Sequence, residues 1–194
     1  VVGSAAERAA APPPVTPALR PAAASAASDP ASLVRRTTLI VRDIDASIRF
    51  YRDVLGFELW LENRGTVSPS SLPTSAPVGA PSRFAIMKGR HPWVGMVGLL
   101  QYGEPQPPPA LPRTLVPGDT VLMLETQELA AIWVLMQQAG TAIHKPPVTN
   151  EVQGAGGARW RATFLFAYDP DGHMLEINQR EPIVGASAAA TGPG

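Results

Sequence analysis

Between Leu33 and Leu61 the spacing of hydrophobic positions changes twice. Thr37 to Val41 (TTLIV) is a continuous β-branched and apolar run, the composition of a buried strand. Ile44, Ile48, Tyr51 and Leu55 then recur at helical spacing and lay one apolar stripe along a helix. Asp45 is the expected cap, its carboxylate accepting from free N–H groups of the first turn. Gly56 stands where a helix wants a left-handed last residue, with Phe57 placed to pack back. Phe57 to Leu61 (FELWL) resumes as a strand. Glu62 to Ser82, rich in Pro, Ser and Gly, reads as a long loop bordering a site. Arg83–Lys88 and Val94–Tyr102 are two further strands around a GRHPW turn. Gly103 to Gly118 contains PQPPPALP and reads as an extended linker.

The order of elements then repeats. Leu122 to Glu125 is a strand, Thr126 a helix cap, and Leu129, Ile132, Trp133 and Met136 form the stripe. A constant offset pairs Ile48 with Ile132 and Gly56 with Gly140. Thr141 to His144 begins another strand, and Asn150 to Ala158 (NEVQGAGGA) is a loop. Trp160–Tyr168 is a strand, DPDG a turn, and His173–Gln179 the last strand. Two βαβββ units follow, 33–102 and 119–180, joined by the linker 103–118.

Composition narrows the functional classes. Lys and Arg number 16 and Asp and Glu 16, so the chain has no basic excess for nucleic acid or an anionic membrane. No apolar run approaches the roughly 20 residues of a membrane span. The absence of cysteine excludes disulfides, thiolate nucleophiles and cysteine zinc sites. Residues 1–32 are Ala, Pro and Ser without periodicity, expected as a disordered lead-in, and 181–194 as a disordered tail. VVGSAA resembles the small-residue end of a secretory signal, which favours export to the periplasm or medium over a cytoplasmic location. A natural flexible tail or an arbitrary boundary is the alternative.

VRDIDASIRFYRDVLGFEL resembles the opening of the vicinal oxygen chelate superfamily, which holds glyoxalase I, bleomycin-resistance proteins and extradiol dioxygenases. YDPDGHMLEINQ, Tyr168 to Gln179, resembles its closing strand-turn-strand. The resemblance covers about Leu33 to Arg180. It implies an α+β fold in which two βαβββ modules pair so that their curved mixed sheets enclose a cleft.

Alternation assigns side chains to that cleft. Leu175 and Ile177 form an apolar pair for the helix, leaving Met174, Glu176 and Asn178 on the other face. In the first strand Arg36, Thr38 and Ile40 oppose Leu39 and Val41. By similarity Met96, Gly98 and Leu100, and Val121, Met123 and Glu125, complete the lining. The superfamily's metal-dependent members place one ligand on each of four strands. Those places fall on Arg36, Gly98, Val121 and Glu176, of which only Glu176 can ligate, and an arginine argues against a cation. The expectation is that the usual metal centre is missing and that no cofactor is needed. Three readings of Arg36 and Glu176 stay open: a structural ion pair across the cleft floor, a catalytic role for Glu176, and Arg36 as receiver of a ligand's anionic group.

His173 is expected to serve the DPDG turn, His91 to lie exposed in the GRHPW turn or at the cleft rim, and His144 to be exposed or edge-lining. If a divalent metal is present, Glu176 with His91 or His144 is the set to hold it. Trp160, Phe164 and Phe166 alternate and are expected in the core. The leading expectation is a bleomycin-resistance-like protein binding a small, partly apolar organic molecule, with Arg36, Thr38, Met96, Gly98, Leu100, Val121, Met123, Met174 and Glu176 at the site. The alternatives are a lyase or dioxygenase using Glu176, and a tethered interaction module. A homodimer is compatible with each.

Overall fold

The computed structural model describes residues 32–153 and 159–182. The lead-in expected at 1–32 (Ser32 apart), most of the 150–158 loop and the tail beyond Pro182 lie outside that range. The element order is β1 (Arg36–Ile40), α1 (Ile44–Arg49) continuing as a π-helical turn (Phe50–Val54), β2 (Glu58–Thr66), β3 (Pro81–Lys88) and β4 (Met96–Tyr102). The second half gives β5 (Val121–Glu125), α2 (Leu129–Gln138), β6 (Ile143–Gln153), β7 (Arg159–Tyr168) and β8 (Met174–Pro182). Each half makes one four-stranded mixed sheet, ordered β1-β4-β3-β2 and β5-β8-β7-β6. β1 pairs with β4, and β5 with β8, in parallel. The remaining pairs are antiparallel.

Several boundaries differ from the sequence reading. Asp43, not Asp45, caps α1, accepting from Asp45 N and Ala46 N at 3.0 Å each. Asp45 instead takes both terminal nitrogens of Arg83 at 2.7 Å. The same guanidinium reaches Glu62 at 2.7 Å, so the β2–β3 hairpin is tied to the helix. The first helix is not α-helical to its end. Its last turn widens, Leu55 N donating to Phe50 O five residues back, and adjacent Phe50 and Tyr51 both turn inward and are buried. β2 and β6 run past their expected ends because each pairs along its length with the next strand.

The periodic positions pack as expected. Leu39, Val41, Ile44, Ile48, Tyr51, Met87 and Leu99 from the first half form one core with Leu129, Met136, Leu165, Leu175 and Ile177 from the second. Gly56 and Gly140 end the helices at φ +74° and +64°, where a side chain would be strained. In each half the last strand caps the helix with a glutamine. Gln101 Oε1 accepts from Ile44 N at 2.8 Å, and Gln179 Oε1 from Leu129 N at 3.1 Å. Thr126 is not the cap of α2: Glu128 holds that position, and Thr126 Oγ1 accepts from Glu128 N ahead of the helix.

A buried polar cluster joins the halves. Asp169 accepts from Tyr51 Oη (3.1 Å), Asp171 N (2.9 Å) and His173 N (2.8 Å), and His173 Nδ1 lies 3.0 Å from it. Asp171 accepts from Arg42 N at 2.7 Å and Ser47 Oγ at 3.0 Å. His173 therefore serves the DPDG turn, as expected. Burial opposes its imidazolium, but the hydrogen bond and charge of Asp169, aided by Asp171, outweigh it and raise the pKa above 6.5. A raised folded pKa contributes stability that is complete below the unfolded value and is lost as pH rises through the folded one. The urea midpoint should accordingly fall between about pH 6 and pH 8, and His173→Gln should flatten that slope. An unchanged slope in the variant would assign the titration elsewhere.

Candidate functional site

The two helix-facing sheet surfaces meet in the common core, so each opposite surface faces outward. Strand register puts the expected site residues on those outward faces. Thr38, Gly98, Ile86 and Leu61 form one row of the first sheet, and Ile40, Leu100, Phe84 and Asn63 the next. Arg36 begins the face opposite Met96. In the second sheet Val121 lies beside Met174, Met123 beside Glu176 and Phe166, and Glu125 beside Asn178 and Phe164.

One chain does not close a cleft between these faces. β1 and β5 are outer strands of separate sheets. Ile40, Val121 and Met123 are open to solvent at 49%, 42% and 53%, whereas Met96 and Met174 are buried. The ion pair across a cleft floor is likewise not made within the chain. Arg36 Nε donates to Thr38 Oγ1 at 3.3 Å, and its guanidinium lies 4.9 Å over the Phe84 ring. Glu176 Oε1 accepts from Asn178 Nδ2 at 3.0 Å. Glu125, on the same outward face, is held by Arg180 at 2.6 Å.

The histidines are not brought to Glu176 as a set. His91 Nδ1 accepts from Trp93 N and Val94 N, closing its own turn. That turn borders Met123 and Glu125 in a groove of about 440 Å³. His144 packs edge-on against Tyr168. No group of three His, Asp or Glu side chains converges among the described residues. The four strand positions fit a metal poorly on donor chemistry: an arginine, a glycine and a valine bring no lone pair, leaving a single carboxylate.

Sequence reasoning missed the aromatic part of these faces. Trp160, Phe164 and Phe166 are half-buried and lie outside the core cluster. Phe84 does the same in the first sheet. The alternation of Phe164 and Phe166 with buried Leu165 and Ala167 was the available signal. It distinguishes two faces without saying which one meets the helix.

A family model described as Glyoxalase/Bleomycin resistance protein/Dioxygenase superfamily matches residues 33–177. The chain belongs to this superfamily. Two solved structures share the fold. A superfamily domain from Frankia sp. EAN1pec is 20% identical over 78% of this chain and 99% of that one, with a TM-score of 0.51. Glyoxalase I of Leishmania major, described as trypanothione-dependent, is 15% identical over 77% and 87%, with a TM-score of 0.50. TnmS3, an antibiotic binding protein from Streptomyces sp. CB03234, is 20% identical over 79% and 99%, at 0.45. No curated protein matches. Within the superfamily, fold leaves the chemistry open, and the site must supply it.

Proposed function

We propose that this protein binds a small, partly apolar organic molecule between the outward face of its first sheet and the outward face of the second sheet of another copy, without a metal. The observation that carries the reading is the openness of the two faces. Met123, Val121 and Ile40 are large apolar side chains on the edge strands β1 and β5, exposed on the outward faces beside the free edges of the two sheets. Such an arrangement loses stabilisation in water and gains it when covered. Each face also presents one charged group without an opposite charge. Arg36 on one face has no carboxylate partner among the described residues, and Glu176 on the other has no cation. A two-fold pairing matches each face with its counterpart and makes two equal pockets. Half-buried Phe84, Phe164 and Phe166 give those pockets apolar walls with few polar groups, the usual character of small-molecule sites.

Sedimentation equilibrium combined with a thermal-shift screen of organic molecules tests this. The wild type should sediment as a dimer at tens of micromolar, roughly, and be stabilised by a bound molecule. Met123→Arg should be a folded monomer that has lost the ligand shift, since Met123 is exposed within one chain. A monomeric wild type that still binds would place the pocket elsewhere. Stoichiometric Zn²⁺, Ni²⁺, Mn²⁺ or Fe²⁺ retained through desalting, and lost in Glu176→Ala, would overturn the metal-free part.

A further inference from the structure

The geometry around Arg36 points to a ligand that carries a planar carboxylate on an aromatic or otherwise apolar body, with Arg36 as the group that receives it. The inference rests on the reading of the outward faces as a ligand site. Arg36 is at an exposed strand start, where an arginine is ordinarily a mobile, hydrated side chain. Here two contacts hold it: Nε donates to Thr38 Oγ1, and the guanidinium plane sits over Phe84. Gly98 leaves the space for both. A Cβ at that position would lie 3.1 Å from Arg36 Cδ, 2.8 Å from Thr38 Oγ1 and 3.2 Å from Phe84 Cε2. Gly98 is not in a left-handed conformation, so its backbone does not require glycine. The lack of a side chain is what lets the arginine stem lie on the sheet.

An arginine ordered before binding loses less entropy when it captures a ligand. The Nε bond is spent on Thr38, and the two terminal nitrogens make no hydrogen bond to any described residue. Those nitrogens form a fork matched to a carboxylate, which two parallel N–H···O bonds can hold. Arg42, Arg52, Arg83, Arg113, Arg159 and Arg180 each have a carboxylate partner, whereas Arg36 shares with Arg35, Arg49, Arg90 and Arg161 the lack of one among the described residues. The two rows that follow that of Arg36 contain no carboxylate: Thr38, Gly98, Ile86 and Leu61 in one, Ile40, Leu100, Phe84 and Asn63 in the other; Glu58, on the far strand of the same face, is taken by Lys88 at 4.0 Å. A charge surrounded by aromatic and aliphatic side chains suits a ligand with one anionic end and an apolar remainder.

The probes are 2-naphthoate and its neutral isostere 2-naphthamide, followed by NMR at the Arg36 Nε–H signal, which is assigned by its loss in Arg36→Gln. Naphthoate should bind at least about tenfold more tightly than the amide. Arg36→Gln should erase that difference, read from aromatic side-chain signals, and Arg36→Lys should keep only part of it. Gly98→Ala should weaken the acid several-fold and leave the amide unchanged. Equal binding of acid and amide would overturn the assignment to Arg36 while leaving the small-molecule reading in place. No binding of either up to about 1 mM would count against both. Acid binding that emerges only in Glu176→Gln would show that Arg36 is consumed by Glu176 of a second copy, and would also overturn it.

Discussion

Asp169→Ala is expected to lower the unfolding free energy by roughly 3–5 kcal/mol, the scale of breaking a buried, fully hydrogen-bonded charge site. The carboxylate is 1% exposed and is surrounded by donors from both halves of the chain. Removing it strands the Tyr51 hydroxyl and the N–H groups of Asp171 and His173 in a place water does not reach. Each stranded donor costs on the order of 1–3 kcal/mol. Partial rearrangement accounts for a total below their sum. At this chain length the change corresponds to a Tm lower by roughly 10 °C. Tyr51→Phe is the graded control, since it removes one donor and leaves the others satisfied, at about 1 kcal/mol. Urea denaturation of the three proteins decides the matter. A loss below about 1 kcal/mol for Asp169→Ala would mean that the turn reseats its donors elsewhere.

Met136→Ala should cost roughly 2–5 kcal/mol, the range for a large-to-small change in a close-packed interior. Met136 is fully buried on α2, yet the cluster it joins holds Tyr51 from the first helix and Leu99 from the first sheet. The two halves therefore share one interior instead of having one each. Hydrogen exchange should show the β3 and β7 amides losing protection together in this variant, by the same free energy. If β7 alone became labile, the halves would be separate folding units.

Much of this architecture is legible in the sequence, because it follows from periodicity. Leu39, Val41, Leu175 and Ile177 are buried where alternation puts them, and the glycines that end both helices mark their own positions. The cap was misread because Asp43 and Asp45 flank Ile44 and are chemically equal. Only the position of Arg83, 38 residues away, assigns Asp45 to an ion pair. The widened turn at Phe50–Val54 depends on where the second half packs, which local spacing does not encode. The candidate site was half legible for the same reason. Alternation identifies which side chains of β1, β4, β5 and β8 share a surface, but not what that surface faces. The expected cleft thus becomes two open surfaces in a single chain.

The glutamine at the closing strand of each half has a consequence for the order in which the chain acquires structure. The first turn of α1 is completed by a residue 57 positions later, and that of α2 by one 50 positions later. The leading amide of each helix therefore waits for the final strand of its half, although in α1 Asp43 already caps the next two amides locally. Local helix formation and long-range sheet closure are thereby coupled twice over, and both closures carry the loop-closing delay that sequence-distant contacts impose on folding.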